Sequence, residues 1–133
     1  MSYVVLYLAT AVVFLAIDVV GLKVLLKPMF DRHVGDLMAA ETRMGAAALF
    51  YSFYVVGILY FASIAGLNGA SYGAVARDAA FLGLIAYGTY EATNYATLRG
   101  WDLSMVLTDV VWGGVLTAAS AVIGLAITRA LGF

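Results

Sequence analysis

Cysteine is absent from this chain, proline and histidine occur once each, and charged side chains make up only 11% of its 133 residues. The first absence excludes disulfides and thiolate metal sites and leaves the redox compartment undetermined. A single histidine, His33, excludes a multi-histidine metal centre within one chain. With a net charge of −1 and the few charges mainly near predicted helix ends, nucleic-acid binding has no support. There is no His-Glu-x-x-His run, no glycine-rich phosphate loop and no Gly-x-Ser-x-Gly elbow. No cofactor is therefore implied, and an enzyme would have to work with carboxylates and tyrosines alone.

What is present is apolar surface. Hydrophobic residues account for 65% of the chain, and a mean hydropathy of +1.00 is far above that of an ordinary soluble domain. Four apolar segments of about 20 residues or more match the thickness of the hydrocarbon layer. They predict helices over roughly 3–26, 44–65, 77–98 and 103–128, within one domain covering 1–133. The runs are long and do not alternate with period two, which favours helices over barrel strands. The start, Met1-Ser2-Tyr3, lacks the basic region of a secretory signal, and the apolar run continues to about Leu26, so the first segment is expected to be a retained helix.

The connections differ in kind. Lys27 to Arg43 holds Pro28 and places Phe30, Val34, Leu37 and Met38 at a spacing that predicts a short amphipathic helix lying in the interface. Gly66 to Gly73 reads as a turn region. Gly100 is placed to end the third helix and Asp102 to cap the fourth, which makes these two an antiparallel hairpin. Lys23, Lys27, Arg32, Arg43 and Arg99 lie on one side, against Arg77 and Arg129 on the other. That bias predicts both termini outside the cytoplasm. The fold class expected is an all-α integral membrane bundle of four transmembrane helices, with the amphipathic segment between the first two.

Within these spans stand three acids, Asp18, Glu91 and Asp109. Each falls roughly 5–10 Å from the midplane at about 1.5 Å per residue, and all on the side of the first and third loops. An ionisable group in hydrocarbon is costly, so it is a functional hypothesis by default. On the third helix Tyr87, Glu91, Asn94 and Leu98 share a stripe, bordered by Tyr90 and Thr97. On the fourth, Asp109, Gly113, Thr117, Ser120 and Gly124 form a stripe of polar and small residues suited to close helix contact. Tyr3, Tyr7, Phe14 and Asp18 lie on one side of the first. Together they predict an acidic, tyrosine-lined pocket whose binding residues are Asp18, Glu91, Asn94, Asp109, Tyr87, Tyr90 and Trp112. Tyr95 is expected to flank Glu91, and Trp101 to anchor the interface. No lysine or arginine lies at the same depth, so either a carboxyl carries a proton or a cation occupies the site. The bland alternative is helix–helix hydrogen bonding that holds the bundle together.

The run Tyr87-Gly88-Thr89-Tyr90-Glu91-Ala92-Thr93-Asn94-Tyr95-Ala96-Thr97-Leu98-Arg99-Gly100-Trp101, followed by Asp109-Val110-Val111-Trp112-Gly113, resembles the bacterial family called domain of unknown function 2177. The segments Ala16-Ile17-Asp18 and Ala47-Ala48-Leu49-Phe50-Tyr51 are similar to it as well. The family commonly has Asp where this chain has Glu91, and Trp where Gly21 stands; the second departure removes a pocket wall. The resemblance implies a four-helix protein of the bacterial inner membrane, with relatives alongside lipid-modifying enzymes. The reading expected is a small membrane protein that binds or transports a proton, a cation or a cationic small molecule. The alternative is a lipid-acting enzyme or an accessory subunit of a lipid-modifying system. Membrane lipids and lipid-modifying enzymes are the partners expected, and the small volume inside four helices points to a homodimer as one arrangement.

Overall fold

A long apolar run can satisfy its backbone polar groups only within its own helix. The computed structural model describes Met1–Phe133 throughout, and it consists of helices and turns alone. Four helices follow one another: α1 (Ser2–Leu37), α2 (Met44–Leu67), α3 (Tyr72–Thr97) and α4 (Leu103–Ala130). Three of them, α1, α2 and α4, are long and apolar enough to cross a membrane. In α3, 26 residues long, Arg77, Asp78, Glu91 and Asn94 dilute the apolar character.

The first helix corrects the sequence reading. No separate interfacial helix exists: Lys27–Val34 continues α1 through a π-turn at Leu22–Leu26, where the Lys27 N–H donates to the Leu22 carbonyl. Pro28 sits in the first turn after it. A proline in an α-helix clashes with the carbonyl four residues back and lacks a donor; the wider π-turn lies where that clash would fall. A 3₁₀ turn at Gly35–Leu37 ends the element.

Turn chemistry explains the remaining ends. The Ser71 hydroxyl accepts from the Ala74 N–H, so α3 begins at Tyr72 and takes in part of the stretch read as turn. Asp102 accepts from the Ser104 N–H at 2.9 Å and starts α4, as its sequence position implied. Gly100 adopts φ +78°, open to glycine at little cost, but α3 has already ended at Thr97.

Packing is closest between α3 and α4, with α1 against the other side of α4. A Cβ on Gly83 would lie 2.3 Å from the Gly113 carbonyl oxygen, so the two backbones nearly touch. The core gathers Leu6, Phe14, Ile58, Val75, Leu116 and Leu125 from all four helices. At the end near the termini, Arg129 donates to the Gly66 carbonyl at 2.6 Å and lies 4.7 Å over the Tyr72 ring. Tyr72 is thus half of a clasp as well as an aromatic at a helix end.

Candidate functional site

The acids project inward because each lies on the packed face of its helix. Over the first 20 residues of α1, Ser2–Gly21, the buried positions are Leu6, Thr10, Phe14, Asp18 and Gly21. Tyr3, expected on that stripe, is 55% exposed. On α3 they are Val75, Ala79, Gly83 and Glu91, with Leu98 exposed beyond the helix end. On α4 all five residues of the predicted stripe, Asp109 to Gly124, are buried.

Asp18, Glu91 and Asp109 are 3%, 0% and 5% exposed. Asp109 stands between the other two, close enough for its charge to act on Glu91 and for that of Asp18 to act on it. No lysine, arginine or histidine is among the buried residues. Neither oxygen of Glu91 has a hydrogen-bond partner. A buried polar group without a partner costs free energy, more so if charged.

Aromatic side chains enclose the cluster. Trp112 borders Asp18 and Trp101 borders Glu91, yet neither indole N–H closes a hydrogen bond of normal geometry. A Cβ on Gly21 would lie 2.1 Å from Trp112 Cζ2. The missing side chain at Gly21 therefore does not leave the site without a wall, because the Trp112 ring from α4 fills that space. Gly113 makes room for Tyr87 in the same way, its hypothetical Cβ falling 2.2 Å from the ring Cγ. Tyr87 lies among Asp18, Asp109, Tyr51 and Tyr54. Tyr90 is half-exposed beside Glu91 and Asn94, its ring 6.0 Å from that of Trp101. Asn94 is only half-buried.

Two site residues escaped the sequence reading. Tyr51, from α2, neighbours both Asp18 and Asp109; its one signal was its place in the segment carrying the family resemblance. Trp101 is no simple interfacial anchor, for it packs edge-on between Phe30 of the α1 extension and Tyr90, and its indole nitrogen is buried. Tyr95, placed beside Glu91 from its spacing, is 50% exposed and lies outside the cluster.

The third turn adds a titrating group outside the spans. The Ser104 hydroxyl and then the Ser104 N–H hold the Asp102 carboxyl below its ordinary range, with a smaller contribution from His33, 3.9 Å away. Two surface grooves are lined by none of the three acids, one at Arg77–Leu84 and one beside Trp112, whose ring borders Asp18.

Fold and site together define an all-α membrane protein with a carboxyl cluster buried among aromatic rings. The chain belongs to the family described as "Predicted membrane protein (DUF2177)", which matches residues 3–126. Neither a curated protein nor a solved structure matches it.

Proposed function

We propose that this is a four-span protein of the bacterial inner membrane, both termini outside the cytoplasm, whose carboxyl cluster takes up and releases a proton. The observation that carries the reading is Glu91, fully buried with neither oxygen partnered, next to a second buried acid. A proton is the smallest cation that relieves such a cluster. Asp18, Asp109 and Glu91 hold the exchangeable proton. Tyr51, Tyr87 and Tyr90 supply hydroxyls beside it, and Trp101 and Trp112 exclude solvent.

Both tryptophans border carboxyls, so their emission should follow the protonation of the cluster. A pH titration of fluorescence in detergent is expected to give a sigmoidal transition that disappears in the Glu91→Gln, Asp18→Asn double variant while helicity is kept. In liposomes enclosing a pH-sensitive dye, the same variant should lose proton flux. An unchanged transition in the folded double variant removes the reading. The groove beside Trp112 favours a second reading, action on lipids with the same carboxyls as general acid and base.

A further inference from the structure

On the outer surface between α1 and α4 runs a groove of about 390 Å³, lined by Leu25, Leu107, Thr108, Val111, Trp112 and Val115. Leu107, Val111 and Val115 follow one another every fourth residue and form a strip roughly 12 Å long. Each is more than half exposed, at 59%, 59% and 55%. Leu25 belongs to the π-turn of α1. Both walls belong to helices apolar enough to span a membrane, so whatever fills the groove comes from the hydrocarbon layer.

The head-group end is marked by charge. Arg32 stands seven residues beyond Leu25, exposed on the α1 extension that follows the π-turn and roughly 10 Å further out along the helix. It is exposed and makes no ion pair, whereas its neighbour Asp31 is taken up by Lys27 at 2.7 Å. A free guanidinium above an apolar strip matches a phosphate attached to an acyl chain. We propose that the groove binds one acyl chain of an anionic phospholipid, its phosphate on Arg32. The lipid would touch the ring of Trp112, which also packs on Gly21 beside Asp18. The assignment goes beyond the proton reading and stands without it.

Bromine on an acyl chain quenches an indole it touches. Trp101→Phe protein, with Trp112 as its one indole, is placed in nanodiscs holding acyl-brominated phosphatidylglycerol or phosphatidylcholine at equal mole fraction. Should that variant not fold, the difference between wild type and Trp112→Phe isolates the same signal. The expected result is about a fivefold preference for the anionic lipid, the effect of one basic residue at a charged surface. Arg32→Gln should bring the two lipids level, and Val111→Phe, which fills the strip, should reduce quenching by both. Equal quenching by both lipids with Arg32 in place overturns the proposal. So does quenching that is missing from both and returns only at one copy per disc, because a second copy of the chain then covers the groove.

Discussion

A methyl group at Gly21 would reach 2.1 Å from Trp112 Cζ2, and one at Gly113 2.2 Å from Tyr87 Cγ. The Tyr87 ring lies among the carboxyls and their neighbours and has no free space to retreat into, and the Trp112 ring can shift only outward, away from Asp18 and into the groove it lines. Gly21→Ala and Gly113→Ala should each cost about 1–3 kcal/mol by overpacking, read as a lower unfolding midpoint in detergent, and Gly21→Ala should also shift the Trp112 emission. Asp102 carries a different test. Its folded value lies below the ordinary one because Ser104 donates to the carboxylate twice. The stability it contributes is therefore complete above about pH 4, the unfolded-state range, and drains away as pH falls through the lower folded value. In thermal melts across pH, Asp102→Asn should keep the cap and lose this acid limb, whereas Asp102→Ala should lose both. Among single residues, the three acids were legible because a carboxyl in an apolar run has nowhere to go but inward. Trp101 and Tyr51 were not. An aromatic with a polar edge is equally at home in an interface and in a polar interior, and only the fold decides between them.

The polar stripe of helix α4, Asp109, Gly113, Thr117, Ser120 and Gly124, could be read from the sequence, since small and polar side chains at helical spacing have to face the bundle, whereas its apolar inward residues such as Met105, Leu116 and Leu125 could not. Helix α1 could not. Its inward face, Leu6, Thr10, Phe14, Asp18 and Gly21, differs little in polarity from its lipid face, which leaves no contrast to read. Its length was missed for a second reason, because Lys27, Pro28, Asp31 and Arg32 follow Leu26, and the apolar run ends there although the helix does not. The π-turn Leu22–Leu26 carries the chain past that proline and brings Phe30 to 5.5 Å from the Trp101 ring. If the turn exists to seat Pro28, the two are coupled. Deleting the exposed Val24 restores α-helical spacing and sets the proline ring against a carbonyl, which should cost about 3 kcal/mol. In a Pro28→Ala background the same deletion should be nearly neutral. A double-mutant cycle on unfolding midpoints reads the difference, and equal costs in both backgrounds would mean that the π-turn has another cause. The second π-turn, Leu59–Ser63, contains no proline, and nothing in the sequence explains it.

At the scale of the whole molecule, the antiparallel order of α1 to α4 places both termini at one end and the carboxyls toward the other. Whether that order maps onto four crossings depends on α3, the one helix diluted by Arg77, Asp78 and Glu91. If α3 crosses, it does so by burying Glu91 against α4 while Arg77 and Asp78 pair at the opposite boundary, 3.0 Å apart. The absence of native cysteine makes the test clean. Single cysteines at Ser2, Asn68 and Phe133 should react with an impermeant maleimide added to spheroplasts. Cysteines at Asp36 and Leu98 should react only after the membrane is opened. Should positions 68 and 98 label from the same side, α3 lies along the surface and the carboxyl cluster is not membrane-embedded as proposed. A third pattern, with every position labelled partly from each side, has its own physical origin. A Lys and Arg bias of five residues against two is small enough for dual insertion, and copies in opposite orientations would then present carboxyl clusters to both leaflets.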